Sequence, residues 1–329
     1  MRRRPVHLLI ALLLMAPIIA AAQASGGVTT PQAKGRVHAL KITVLSTMLA
    51  DVGIGEWGFA ALVEADGNRL LFDTGSRPAT VLENARELGI DLSTVKEVIL
   101  SHNHFDHTGG LLTLRRDLMR KDVTAMSRVH VGKGIFYSRP GQNGAETNTM
   151  IALKKEYEAT GGSIVEHDKP EQVFPGVWLT GPVPRVYPER NWSGSDRVKT
   201  PEGVVEDNIP EDQSLILDTD RGLVLLAGCG HAGIINTIQF ARQTVRPAPL
   251  HAAIGGFHLF RADDQTLAWT AGKLREFGLE NLVGAHCTGL HSVYYFRDHL
   301  GLPRRACVVG AVGATFTLDK GIDPGQLAQ

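Results

Sequence analysis

Apolar residues recur along the chain with two periods, and the change from one to the other marks the elements. His38 to Leu45 and Phe59 to Ala65 alternate as half-buried strands do, and Asp66-Gly67-Asn68 supplies a hairpin turn into a third strand, Arg69 to Asp73. Pro78 to Leu88 changes to helical spacing and ends before Gly89. Val95 to Ser101 is a short apolar strand. A helix from Gly109 carries Leu111, Leu112, Leu114 and Leu118, and a strand follows around Arg128 to Val131. The second half repeats this logic. Strands are expected at Ser214–Thr219 and Leu223–Ala227, then a helix from Ile234, a strand at His251–Ile254 and a helix over Asp264–Phe277. A strand at Asn281–Ala285, a helix from Leu290 and strands near Ala306–Val309 and Ala314–Leu318 complete the chain. Two strand-rich halves with accompanying helices predict an α/β fold of four layers, αββα: two mixed sheets packed face to face with helices outside. Residues 133–147 and 185–211, rich in Gly, Pro, Asn and charge, are expected as loop insertions. One domain is expected over 37–320, with a linker at 25–36 before it and a tail at 321–329 after it.

The N-terminus follows a different rule. Met1-Arg2-Arg3-Arg4 is a basic start, Val6 to Ala20 is an apolar run, and Ala22-Gln23-Ala24 is a small-x-small cleavage pattern. Together they predict a signal peptide over 1–24 and a periplasmic or secreted protein, with no stable membrane insertion after cleavage. The paired arginines leave both the general secretory and the twin-arginine routes open. Hydrophobic content of 43% and charged content of 21% are those of a globular chain. Lys and Arg number 34 against 34 Asp and Glu, so loss of the three leader arginines leaves a slightly acidic protein. That balance predicts no nucleic-acid partner and a small-molecule substrate instead; it assigns no oligomeric state. Three cysteines, Cys229, Cys287 and Cys307, are too few for a disulfide scaffold, and the first two lie beside histidines.

Candidate chemistry is concentrated in Ser101-His102-Asn103-His104-Phe105-Asp106-His107-Thr108-Gly109-Gly110, directly after an apolar strand. Three imidazoles and a carboxylate within six residues are the nitrogen and oxygen donors that borderline-soft divalent metals take. A tight loop can present His102 and His104 to one ion and Asp106 and His107 to a second, and the two glycines let it turn closely into the next helix.

This segment resembles the His-x-His-x-Asp-His signature of the metallo-β-lactamase fold superfamily, and Leu71-Phe72-Asp73-Thr74-Gly75 upstream looks like that superfamily too. The resemblance covers roughly residues 40–318. It extends to a branch similar to dihydropterin-ribofuranosyl-aminobenzene phosphate synthases, through Thr180 to Arg185, Asp212 to Leu215, Gly228 to Gly233, Gly255 to Leu259 and His286 to Gly289. It implies two divalent ions, zinc first, with iron or manganese as alternatives. It also implies an enzyme, a metal-dependent hydrolase that turns a metal-bound hydroxide on an ester, lactone or phosphoester, with Asp106 orienting the attacking group. The alternatives are a pterin-type synthase related to methanopterin biosynthesis enzymes and a non-catalytic metal- or ligand-binding member of the fold.

The chain departs from the better-known hydrolases of that fold in lacking a Gly-His-Thr-x-Gly segment and the bridging Asp. By order along the chain, Asp212 stands where the missing histidine would be, and Cys229 or His231 where the Asp would be. Asp212 is a ligand or a turn residue; His231 is a ligand or the cap of the helix at Ile234; Cys229 supports the site, by ligation or as a small buried residue. His286 corresponds to the last ligand of the second ion. His258 is a ligand, an acid for the leaving group, or a loop histidine. Asp73 resembles a carboxylate that fixes a ligating imidazole through its other ring nitrogen.

Overall fold

The computed structural model describes residues 35–193 and 196–328. The expected signal peptide and nearly all of the expected linker lie outside them. In chain order the first half contains β1 (Leu40–Ser46), β2 (Ala60–Ala65), β3 (Asn68–Phe72), α1 (Thr80–Glu87), β4 (Glu97–Leu100), α2 (Phe105–Thr108), α3 (Leu111–Leu118), β5 (Arg128–Gly132), α4 (Met150–Glu158) and β6 (Ser163–His167). The second half contains β7 (Glu171–Phe174), β8 (Val177–Leu179), β9 (Arg197–Thr200), β10 (Gly203–Glu206), β11 (Leu215–Thr219), β12 (Gly222–Ala227), α5 (Ile234–Thr244), β13 (Leu250–Gly255), α6 (Asp264–Glu276), β14 (Asn281–Gly284), α7 (Leu290–Leu300), β15 (Cys307–Val309), β16 (Thr315–Thr317) and β17 (Gly321–Asp323).

Two large sheets result, in the orders β17-β16-β1-β2-β3-β4-β5-β6 and β15-β14-β13-β12-β11-β8-β7. Both are mixed: β3 through β6 run parallel and so do β12 through β15, while the remaining neighbours are antiparallel. The period-2 pattern sorts side chains between layers. In β2, Ala61, Val63 and Ala65 enter the core between the sheets, while Ala60 and Leu62 face the helices. In β12, Val224 and Leu226 point into the same central core, and Leu223 and Leu225 pack with α5, α6 and α7. Both faces of these strands are buried, which is why they are nearly continuous apolar runs. Burying a side chain such as Phe72, wholly removed from solvent, contributes about 1.5–3 kcal/mol. The four-layer αββα sandwich of two mixed sheets expected from the pattern is the observed fold.

The stretch 148–184, where the pattern predicts no element, contains α4, β6, β7 and β8. The signal is weak there: α4 buries only Met150 and Tyr157, and the edge strand β6 shows exposed and half-buried positions without alternation. The expected loop 185–211 carries the β9–β10 hairpin, a two-stranded ribbon outside both sheets with Val198 as its one buried strand residue. A ribbon with a single buried residue leaves almost no hydrophobic period to detect. β17 pairs with β16 just past residue 320, inside the stretch expected as a tail.

Close backbone approaches hold the histidine loop against the sheet. A Cβ on Gly110 would lie 2.2 Å from the Thr74 carbonyl oxygen, and one on Gly109 would lie 1.9 Å from that of Ser76. Gly110→Ala should therefore destabilise the fold by about 1–3 kcal/mol. Gly272→Ala, mid-helix in α6 with nothing within 4 Å, should stabilise it by about 0.5–1 kcal/mol. Urea unfolding of the two variants beside the parent checks both signs.

Candidate metal centre

Every histidine and carboxylate in the candidate centre follows the C-terminal end of a strand. Asp73 follows β3, His102 to His107 follow β4, Cys229 and His231 follow β12, His258 follows β13 and His286 follows β14. Because β3 and β4 run parallel, as do β12, β13 and β14, these ends emerge together at one rim, where α/β sheets place their sites. Three of these residues, Asp73, His258 and His286, adopt left-handed backbone with φ of 57°, 50° and 46°. Such conformations cost about 1–3 kcal/mol each for a residue with a side chain and concentrate at functional sites.

Two triads form there, and in each the potential ligand atoms lie within 4.8 Å of one another: His102, His104 and His231 in one, Asp106, His107 and His286 in the other. In the first, the His102 ring is 4.5 Å from that of His104 and 4.7 Å from that of His231. In the second, His107 and His286 are 5.0 Å apart by ring centroids, and Asp106 Oδ2 is 3.3 Å from His286 Nε2. Cys229 joins His102 and His107 in a further group, its Sγ 3.1 Å from His107 Nε2.

The hydrogen bonds aim the rings. His107 Nδ1 meets Asp73 Oδ2 at 2.7 Å, and Asp73 also accepts the backbone N–H and hydroxyl of Ser101. The Ser101 hydroxyl in turn lies 2.9 Å from His102 Nδ1. His231 Nδ1 bonds the Asn191 carbonyl oxygen. With the Nδ1 atoms engaged, His102 Nε2 and His231 Nε2 are buried without any hydrogen-bond partner. A buried polar atom left so costs about 1–3 kcal/mol, and orphaned lone pairs converging from the ends of β4 and β12 fit a divalent cation.

The electrostatics favour the same use. Burial, reinforced by the neighbouring imidazoles, pushes His102 and His231 well below the ordinary histidine range, and burial brings His104 to about 4. All three are neutral at pH 7, the form that ligates metal. Burial opposes the charge on Asp106, yet His107 and His286 beside it hold the carboxylate well below its usual value.

Asp212 lies outside these groups. Its Oδ2 accepts the N–H of Ala232 at 2.8 Å, while Oδ1 is buried without a partner. His231 joins His102 and His104 in a triad, and Asp212 binds the turn that carries it through Oδ2. Order along the chain cannot distinguish the two, because Asp212 lies just before β11 and His231 just after β12, adjacent strands whose ends meet. Cys287 Sγ lies 3.3 Å from Cys229 Sγ, in the neighbourhood of the site that the histidines beside both cysteines suggest. One feature was missed in the sequence. Glu211 Oε1 accepts the N–H of Asn103 at 3.2 Å, between His102 and His104, and Arg139 donates to its other oxygen at 2.7 Å and to Asp207 at 2.6 Å. Arg139 and Glu211 come from the two stretches expected as insertions, where charge alone gave no reason to pair them.

The family model of the metallo-β-lactamase superfamily matches residues 58–140, which include the whole histidine loop. The chain has the metallo-β-lactamase fold. It is similar to the 7,8-dihydropterin-6-methyl-4-(β-D-ribofuranosyl)-aminobenzene-5'-phosphate synthase of Methanocaldococcus jannaschii, 29% identical over 275 residues, covering 80% of this chain and 92% of that one. Among solved structures it is similar to a metal-dependent hydrolase of the β-lactamase superfamily, at 28% identity and a TM-score of 0.67, covering 84% of this chain and 98% of the other. The metallo-β-lactamase fold protein YhfI of Bacillus subtilis shares the fold at 14% identity and a TM-score of 0.54, covering 85% and 99%.

His231→Ala should lower bound divalent metal by about one ion per chain, since it removes one of three donors from a triad. Asp212→Asn should leave metal content at the parental value, because the amide oxygen can still accept the Ala232 N–H. Elemental analysis of the dialysed proteins checks both; loss of metal in Asp212→Asn would make Asp212 a ligand.

Proposed function

We propose that this protein is an exported metal-dependent hydrolase of an ester, lactone or phosphoester bond in a small molecule. The observation that carries the reading is the pair of triads at one sheet rim, buried but for half-buried His104, with His102 Nε2 and His231 Nε2 unpartnered. The 28% identity to a solved metal-dependent hydrolase supports it. His102, His104 and His231 would hold one ion and Asp106, His107 and His286 the other. The chemistry such ions supply is activation of water and polarisation of a scissile carbonyl or phosphoryl oxygen.

The chain's own groups complete the reaction. Asp106, ionised at neutral pH beside His107 and His286, would orient the attacking water. His258 lines the cleft with His104 and His231 and would contact the leaving group. A cleft of about 790 Å³ reaches His104, His231 and His258 and is walled by Trp192, Phe260 and Trp269, with Arg190 and Arg261 at its rim. Its size suits a small molecule. Export rests on the basic, apolar and small-x-small pattern of residues 1–24. No helix among the described residues is long and apolar enough to cross a membrane.

A second reading, a pterin-type synthase, is favoured by the similarity over most of the chain to the archaeal synthase. Export opposes it, since that chemistry draws on phosphorylated cytosolic metabolites.

Turnover of a panel of lactones, esters and phosphodiesters, with and without a chelator, separates the two readings. Hydrolysis of one class, abolished by the chelator and restored by zinc, iron or manganese, is the expected result. Condensation of a pterin substrate without hydrolysis of any panel member would overturn it. N-terminal sequencing of protein from cell fractions should give a mature start near Ser25 outside the cytoplasm; Met1 retained on cytosolic protein would remove the export component.

A further inference from the structure

A third group of donors sits beside the two triads. Cys229 Sγ, Cys287 Sγ and a ring nitrogen of His258 lie within 4.8 Å of one another. Both cysteines are free thiols with 2% or less of their surface exposed, and the sulfurs are 3.3 Å apart. The His258 backbone N–H donates to Cys287 Sγ at 3.3 Å, and the same residue keeps its buried Nδ1 without a partner. Apolar packing explains a buried cysteine, but not two thiols converging on an unsatisfied imidazole held in left-handed backbone. A disulfide is not formed, since its sulfurs would stand about 2.05 Å apart.

The donor chemistry differs from that of the triads. Their nitrogen and oxygen atoms suit several divalent ions, whereas a pair of thiolates with one imidazole selects soft, thiophilic cations such as zinc or copper(I). Two sulfurs bound to one tetrahedral zinc at about 2.3 Å stand roughly 3.8 Å apart, so a shift of about half an ångström converts the observed pair into a chelate. We propose that Cys229, Cys287 and His258 form a thiolate site for a third, thiophilic cation next to the two triads. Cys229 lies between this site and His107, and the His258 ring is 4.6 Å from that of His231. The three sites thus form one continuous cluster, and the third is assembled from the ends of β12, β13 and β14 alone.

The experiment uses the full chain, purified under reducing conditions and saturated with zinc. Elemental analysis should give one more zinc per chain in the parent than in Cys287→Ser or His258→Ala. On addition of cadmium, the sulfur-to-cadmium ultraviolet charge-transfer band should reach its plateau near one equivalent in the parent and fall by at least half in Cys287→Ser. Cys287→Ala serves as a second substitution, and circular dichroism confirms that each variant is folded before its metal is counted. Equal zinc content in the parent and the folded variants would overturn the proposal. So would a cadmium band unchanged by loss of Cys287, or a Cys229–Cys287 disulfide recovered by mass spectrometry from protein kept under reducing conditions.

Discussion

Asp73 is wholly buried at the end of β3, and its carboxylate accepts from Ser101 N–H, from the Ser101 hydroxyl and from the His107 ring. These contacts tie the end of one strand to the start of the histidine loop and to the helical turn that carries His107. A buried carboxylate is tolerable only when its oxygens are satisfied in this way. Burial opposes a charge on His107, but Asp73, and Asp106 after it, raise the imidazole to about 9. A carboxylate behind a ligating histidine fixes which nitrogen faces the ion, and here it also sets the path of the backbone between β4 and α2.

Around that contact the fold tolerates strain and desolvation at one rim and offsets them elsewhere. Left-handed Asp73, His258 and His286 and the unpartnered nitrogens of His102 and His231 all disfavour the folded chain locally. The central core between the sheets and the two outer cores beneath the helices supply the compensating burial. A second support comes from outside the sheets, where Arg139 pairs with both Glu211 and Asp207, and Glu211 in turn holds the Asn103 N–H. The residues that support the loop are thus remote in sequence from the residues that would bind the ions.

The relatives show why fold and activity must be argued separately. One similar chain is a synthase and one similar structure is a metal-dependent hydrolase, and a shared sandwich is compatible with both. The groups facing the cleft here include Trp192, Phe260, Trp269, His258, two arginines and the carboxylates of Glu189, Asp196, Asp207 and Asp263. Trp192, Arg190 and three of those carboxylates come from 185–211, the stretch where hydrophobic periodicity is least informative.

The sequence alone determined what depends on near neighbours. Strand alternation, helical spacing and the turn at Asp66-Gly67 were legible because side-chain direction follows from backbone period. The fold class followed because two alternating halves can bury their apolar faces only against each other. The histidine loop was legible because its donors lie within six residues. Tertiary structure decided what depends on distant partners: that His231 rather than Asp212 faces His102, that Cys287 meets Cys229, and that Glu211 reaches Asn103. It also decided the strands β6 to β8 and the β9–β10 ribbon, whose weak patterns become ordered only through neighbours supplied by the rest of the chain. Side-chain period is a local property, but which strand ends meet is set by sheet order, and no local pattern of residues encodes that.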